Sequence, residues 1–356
     1  MENRTELLTE RLLAWYRANA RDLPWRRTRD PYRIWVSEIM LQQTRVAAVL
    51  GYYARFLEAF PTVEALASAG EDKLMKCWEG LGYYSRARNL QKAARIVTEQ
   101  YDGRFPADYA RLLELPGIGE YTAGAIASAA FGVPVPAVDG NVLRVMTRLT
   151  DCCEDITLPA TKALAKEWAA EHMPPAQEDI RIFNQALMEL GATVCAPNTT
   201  PHCEACPLAE LCLGRMRGTA ETLPVKTAKK ARQTEEMTVY VLEREGRIAL
   251  RKRPKTGLLA GLWEFPNVAG TLDEADAAVP VAEWGLSAEE WKKKLTAKHI
   301  FTHREWHMTG YVLRVTGEGD KDFLWVDAAV LEDCAVPSAF ARYLEEARRV
   351  LEGANP

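Results

Sequence analysis

The sequence predicts a multidomain protein of α and α/β classes: an all-α domain ending in a cysteine loop, then a linker and a smaller α/β domain. Three observations lead there. Residues 5 to about 192 carry apolar residues at helical spacing in one segment after another. Cys195, Cys203, Cys206 and Cys212 then fall within eighteen residues. Past Glu236 the texture changes to short alternating, β-branched and aromatic runs, which read as strands. A length of 356 residues agrees with two domains on a soft prior of about 150 residues each. Hydrophobic content of 48% and charged content of 26% let each bury a core of its own.

Helices are predicted over residues 6–18, 32–60, 63–69, 72–77, 85–100, 107–113, 121–131, 141–149, 159–171 and 180–190, with Pro61 closing one of them. The first domain is therefore placed at 1–217. Residues 218–235 carry Lys226, Lys229, Lys230 and Arg232 without apolar periodicity, as an exposed linker would. In the second domain, 236–356, strands are expected at 238–242, 247–250, 299–302, 307–315 and 323–326. Helices are expected at 289–295, capped by Ser287, and at 338–351.

The first 23 residues are rich in charge and lack the apolar core of a signal peptide. No stretch has the uninterrupted apolar length of a membrane-spanning helix. A reducing cytosol is the expected compartment, with Cys77, Cys152, Cys153 and Cys334 as small core residues. A net charge of −4 argues neither for nor against nucleic acid, because a global sum hides clustering.

Seven, two and five residues separate the four clustered cysteines, which makes one compact loop around a single centre. Structural zinc more often joins two separated C-x2-C pairs, whereas a single tight run suits an iron–sulfur cubane. Tetrahedral sulfur alone fits either metal. Upstream lies Leu115-Pro-Gly-Ile-Gly-Glu-Tyr-Thr-Ala-Gly-Ala-Ile126. Gly117 and Gly119 allow a tight turn that brings backbone N–H groups to a surface, and the next helix aims its positive end there. Such a hairpin suits a phosphate, and by itself it also serves as a plain turn. Val138-Asp-Gly-Asn-Val-Leu-Arg144 follows, where Asp139 reads equally as a catalytic carboxylate or a helix N-cap.

Taken together, this run resembles the helix–hairpin–helix DNA glycosylases, and the cysteine loop resembles the iron–sulfur branch of that superfamily, the endonuclease III group. Trp35-Val-Ser-Glu-Ile-Met-Leu-Gln-Gln-Thr44 resembles the signature of the MutY family within it. Phe301-Thr-His303 and Gly257-Leu-Leu-Ala-Gly-Leu-Trp-Glu-Phe-Pro266 resemble the MutT-like, Nudix-like domain of that family. The resemblance covers nearly the whole chain.

It implies a base-excision-repair adenine DNA glycosylase with a [4Fe-4S] cluster on Cys195, Cys203, Cys206 and Cys212. The implied partner is duplex DNA holding adenine opposite 8-oxoguanine or guanine, met as a monomer in the cytoplasm with the chromosomal DNA. The family's cluster loop has six residues between its first two cysteines and this one has seven, with Pro197 and Pro201 bracketing the extra length. Lyase relatives carry a lysine where this chain has Tyr121, and a phenol cannot form an imine, so Schiff-base strand cleavage is excluded by that route.

Chemistry supports two carboxylates. Adenine leaves when protonated, and negative charge near the sugar stabilises the developing oxocarbenium, as in glycoside hydrolysis. Glu38 lies among Ile34, Trp35, Val36, Ile39, Met40 and Leu41, where desolvation would keep a carboxyl protonated. By itself such a helical Glu reads equally as a solvated residue, and the resemblance makes it the general acid toward N7. The resemblance carries the second carboxylate to Asp139 as oxocarbenium stabiliser or transient nucleophile. It gives Tyr121 a supporting hydroxyl toward Asp139 and lets Asn141 orient the carboxylates or the water. Arg26 and Gln185 would face the extruded adenine. Gln43 and Tyr83 would wedge into the duplex, with Thr44, Leu81, Arg86, Gly117 and Gly119 also on the DNA side. Thr302 and His303 would meet 8-oxoguanine. Arg251, Lys252, Arg253 and Lys255, with the linker cations, either meet phosphates or are simply solvated.

No Nudix box is present, so magnesium-dependent hydrolysis of a nucleoside triphosphate is not expected. Two rivals remain. A thymine or uracil mismatch glycosylase shares the hairpin, Asp139 and Tyr121 but not the Glu38 run. A non-catalytic iron–sulfur DNA-binding module would need no paired carboxylates.

Overall fold

The computed structural model describes residues 4–197, 199–227 and 231–353. Lys229 and Lys230 of the linker and Asn198 of the cysteine loop lie outside the described residues. In order, the helices are α1 (Arg4–Asn19), α2 (Pro31–Leu41), α3 (Val46–Ala59), α4 (Val63–Ala67), α5 (Glu71–Trp78), α6 (Ser85–Gln100), α7 (Tyr109–Leu113) and α8 (Glu120–Ile126). They continue as α9 (Gly140–Thr150), α10 (Pro159–Glu171), α11 (Gln177–Thr193) and α12 (Leu213–Arg217). Two compact units emerge: Met1–Ser68 with Arg88–Ala228, and Ala69–Ala87 with Lys229–Pro356. The sequence around α5 therefore packs with the second unit.

In the first unit, Leu8, Leu12 and Tyr16 recur every fourth residue of α1 and bury one stripe against Phe183, Leu187 and Leu190 of α11 and Val142, Val145 and Leu149 of α9. Residues 127–131 widen into a π-turn after α8 and end at Gly132 in the left-handed region.

The second unit is built on a seven-stranded sheet of β1 (Gln233–Arg244), β2 (Arg247–Lys252), β3 (Trp263–Glu264), β4 (Asn267–Ala269), β5 (Ser287–Ile300), β6 (Arg304–Thr316) and β7 (Phe323–Val326). The strand order is β3-β2-β1-β6-β5, with β4 on β1 and β7 on β2. β1 and β6 run parallel, Gln233 opposite Arg304 through Glu243 opposite Arg314. The helices are α13 (Ala278–Glu283), α14 (Ala328–Asp333) and α15 (Ala341–Gly353). Val239 and Val241 face a core with Trp306, Phe340 and Tyr343, while Tyr240 and Leu242 face another with Val281 and Tyr311. That alternation is why β1 is apolar without a break: both of its faces are covered.

Three expected elements differ, the first being the strand expected at 299–302, where β5 ends at Ile300 and residues 301–303 turn into β6. The helix expected over 32–60 is two helices, because Gln43 takes a left-handed conformation (φ 59) between them. The helix expected at 289–295 is part of β5, paired antiparallel with β6. Good helix formers (Glu289, Glu290, Lys292, Lys293, Lys294) sit on an exposed edge strand where pairing overrides local propensity. β1 also begins at Gln233, inside the stretch expected as linker. No helix among the described residues is long and apolar enough to cross a membrane.

Candidate active site and cysteine loop

Local chain geometry places each side chain of the cavity. Asp30 caps α2 by accepting from the Tyr32 amide at 2.9 Å, and Pro31 opens the helix. The buried stripe of α2 then fixes Glu38 at the cavity, and the turn at Gln43 brings Gln42, Gln43 and Thr44 to the same wall. The hairpin before α8 turns at Gly117 (φ 80), where a Cβ would stand 2.8 Å from the Asn89 Cβ. Gly119 has an ordinary extended φ of −92° and open space around its α-carbon, so only Gly117 is required by geometry. Gly117→Ala is expected to cost about 1–2 kcal/mol, seen as a lower thermal midpoint, with Gly119→Ala near neutral.

Asp139 caps α9. Its Oδ1 accepts from the amides of Asn141 (2.9 Å) and Val142 (2.8 Å), and its Oδ2 from Asn141 Nδ2 (2.7 Å). Capping and a chemical role are thus compatible in one carboxylate. Glu38, Tyr121, Asp139, Asn141, Arg26, Gln185, Gln43 and Thr44 all line one cavity of about 520 Å³, within the usual range for a ligand site. Trp25, Met188 and Glu189 are also part of its wall.

Glu38 opens on the cavity yet is otherwise enclosed by protein. Burial pushes its carboxyl up to about 7, against the Tyr121 hydrogen bond and Arg26, which favour the charged form, while nearby Asp139 adds to the rise. Tyr121 donates to Glu38 Oε2 at 2.6 Å and lies 3.2 Å from Met188 Sδ. The hydroxyl expected to support Asp139 is therefore spent on Glu38. Asp139 is also raised by burial, but three hydrogen bonds from Val142 and Asn141 and the charge of Arg144 pull the other way. The two carboxyl groups are thus held by unlike surroundings, one by a phenol in an apolar setting and one by a helix N-terminus.

Glu189 was not anticipated, although it stands one helical turn after Gln185 on α11. It is fully buried and accepts from Arg21 Nε (2.8 Å), Arg21 Nη2 (2.7 Å) and Arg26 Nη2 (2.7 Å). Burial opposes its charge, and the two guanidiniums outweigh that and hold it down at about 2. Arg26 is thereby fixed at the cavity wall as a charged donor.

In the second unit Tyr83 is exposed, in a left-handed conformation (φ 47), and follows buried Leu81. Arg86 donates to the carbonyls of Leu81 (2.9 Å) and Gly82 (3.1 Å), so it shapes the turn that presents Tyr83. The Tyr83 hydroxyl is hydrogen-bonded to Thr302 Oγ1, so the two residues meet within this unit. Thr302 and exposed His303 lie in the turn joining β5 to β6. Arg251 and Arg253 do not present free charges for phosphates. Both bind Glu264, whose side chain is nearly fully buried, and Lys252 pairs with Asp72 at 2.8 Å. Lys255 and Lys226 are exposed.

Cys195, Cys203, Cys206 and Cys212 line one small cavity of about 30 Å³ and form no disulfide. Among the described residues no three ligating side chains converge to hold a single metal ion. Four thiols lining one space form a soft donor set of the kind that thiophilic metals and iron–sulfur clusters take. Two arginines of α9 stitch the loop down. Arg148 donates to the Cys195 carbonyl (3.2 Å), Cys195 Sγ (3.3 Å) and the Ala196 carbonyl (3.1 Å). Arg144 donates to the carbonyls of Cys195 (2.7 Å) and Gly191 (2.6 Å) and to Asn141 Oδ1 (2.8 Å). Through Asn141, that guanidinium joins the first cysteine to Asp139. Arg144 stood in the quoted motif without a role, because its partners are backbone atoms that no spacing reveals.

Comparison with known proteins follows the same division. A model of the HhH-GPD superfamily base excision DNA repair proteins matches residues 36–171, and a NUDIX domain model matches residues 237–346. Adenine DNA glycosylase of Homo sapiens is 38% identical over 81% of this chain, which spans 62% of that protein's length. Adenine DNA glycosylase of Buchnera aphidicola subsp. Baizongia pistaciae is 33% identical, covering 86% of this chain and 85% of its own. A solved thermostable thymine-DNA glycosylase is 32% identical with a TM-score of 0.54, covering 60% of this chain and 97% of that one. With its paired domains and its match along most of the Buchnera protein, the chain belongs to the adenine DNA glycosylase family.

Proposed function

We propose that the chain is a monofunctional adenine DNA N-glycosylase, which extrudes adenine mispaired with 8-oxoguanine or guanine and hydrolyses its glycosidic bond. The observation that carries this reading is the pair Glu38 and Asp139 in one cavity, with Glu38 held near 7 by burial. At neutral pH a large fraction of Glu38 keeps its proton. With Oε2 occupied by Tyr121, the remaining oxygen is free to protonate N7 of an extruded adenine. As the base departs, Asp139 faces the cationic sugar. Its anchored oxygens need no reorganisation to stabilise that charge or to bond to C1′ transiently. Glu38, now ionised, takes a proton from water. Among the described residues no lysine lines the cavity, which accords with an abasic product left uncut.

The four cysteines fit a [4Fe-4S] cluster, which would supply a covalent cross-link for the loop. Burial pushes the free Cys206 thiol up to about 12, so binding of iron there would release its proton. Thr302 and His303, with Tyr83 beside them, form the candidate contact to 8-oxoguanine. A DNA substrate implies action on chromosomal DNA.

The test is single-turnover incubation with a duplex containing adenine opposite 8-oxoguanine, followed by alkali. Scission only after alkali is expected. Scission without alkali would reveal a lyase nucleophile, and no scission from cluster-loaded protein would leave a DNA-binding module. Thymine or uracil mispairs processed faster than adenine would favour the mismatch glycosylase instead.

A further inference from the structure

Tyr16 does not line this cavity; it lines a neighbouring one of about 400 Å³ that shares Arg26 and Gln185 with it. On α1, its hydroxyl contacts Gln185 Oε1 at 2.7 Å, and its ring carries the Arg26 guanidinium 5.5 Å from the centroid. The residue is 6% exposed, and this is its hydroxyl's one hydrogen bond among the described residues. Its direction follows from that isolation. A buried O–H without an acceptor is costly, so the phenol donates and the amide oxygen accepts. Reversing the amide would leave the phenolic proton facing an NH2 group. The Gln185 Nε2 hydrogens have no protein partner among the described residues, on a side chain that lines the cavity.

The neighbouring wall has the same polarity. Glu189 accepts two bonds at Oε1, from Arg21 N and Nε, and two at Oε2, from Arg21 Nη2 and Arg26 Nη2, which fills a carboxylate. That side of the cavity therefore offers donors. Adenine presents three unprotonated ring nitrogens and a single exocyclic donor, so a second ring nitrogen, besides the one that Glu38 protonates, suits an NH2 donor.

We propose that Tyr16 is a positioning residue that locks the Gln185 amide with its NH2 toward the extruded base, so that the base is selected through an unprotonated ring nitrogen. This rests on the adenine glycosylase reading. Without the hydroxyl the amide flips freely and can present an acceptor, and the donor that reads the ring nitrogen is lost for part of the time.

The test compares wild type with Tyr16→Phe, which keeps the ring under Arg26, on three duplexes: adenine, 1-deazaadenine and 3-deazaadenine, each opposite 8-oxoguanine. Comparing enzymes on one base cancels that base's intrinsic lability. Tyr16→Phe is expected to slow adenine excision about tenfold, the worth of one hydrogen bond. It should slow one of the deaza bases hardly at all, because that base lacks the nitrogen being read. Gln185→Glu, which still accepts from Tyr16 but has no NH2, should reproduce the pattern. Equal slowing on all three bases would mark a merely structural Tyr16 and overturn the proposal, as would no slowing on any. Failure of wild type to excise adenine at all is a different result, which removes the reading beneath it.

Discussion

Glu38→Gln is expected to lower single-turnover adenine excision by about 10²–10⁴-fold, the usual span for a general acid. Glutamine keeps the shape and can still accept from Tyr121, but it brings no acidic proton to the base. Asp139→Asn is expected to cost at least about 10²–10³-fold for a different reason: it removes charge where the oxocarbenium develops. The amide oxygen of asparagine can still accept from the Asn141 and Val142 amides, so α9 keeps its cap, while its NH2 cannot accept from Asn141 Nδ2 and that one bond is lost. Both variants should bind the mispaired duplex about as well as wild type. Loss of binding together with turnover in Asp139→Asn would instead point to a DNA-binding module with no use for the pair.

Arg144→Leu is expected to damage two places at once. It leaves the Gly191 carbonyl without its charged donor and the Cys195 carbonyl with Arg148 alone, a loss of about 2–3 kcal/mol on the scale of bonds to charged groups. It also frees Asn141, whose Nδ2 holds Asp139 Oδ2, so the chemical step should slow by about tenfold or more even in folded molecules. Arg148→Leu is the control. Arg148 also holds Cys195 and reaches the Leu223 carbonyl at 2.9 Å, but it makes no hydrogen bond to Asn141. It should lower the thermal midpoint comparably and spare the rate per active site. Equal rate losses in both variants, after titration of active enzyme, would show that Arg144 acts only through stability.

The candidate cavity was legible in the sequence to the extent that its residues sit in contiguous motifs. Glu38 stands in an apolar run, Asp139 before a helix, and Gln185 on a periodic one. What was not legible depends on long-range partners. Tyr121 could be placed near the scissile bond, but nothing local tells which carboxylate receives its hydroxyl. Glu189 reads as an ordinary helix residue until Arg21 and Arg26 arrive from some 160 residues upstream. The same limit explains the basic run at Arg251–Lys255, which looks like a phosphate contact until buried Glu264 is seen between two of its arginines. Secondary structure divides likewise. The helix at Pro159–Glu171 and the strand at Phe323–Val326 follow from strong local pattern. β5 was misread because an edge strand with charged residues on both faces shows no alternation. The break at Gln43 has no glycine or proline to announce it.

The most direct measurement of the central claim, that Glu38 is a buried acid tuned against Tyr121, is the pH dependence of kcat/KM for wild type and Tyr121→Phe. The free enzyme's essential acid governs the alkaline limb. With Glu38 at about 7, excision should fall as pH rises through neutrality. The Tyr121 hydroxyl favours the ionised form, so its removal should let burial dominate and move that limb to higher pH, at a lower maximal rate. An alkaline limb in the ordinary carboxylate range near about 4.3, or one that moves down in Tyr121→Phe, would contradict the assignment of Glu38 as the proton donor.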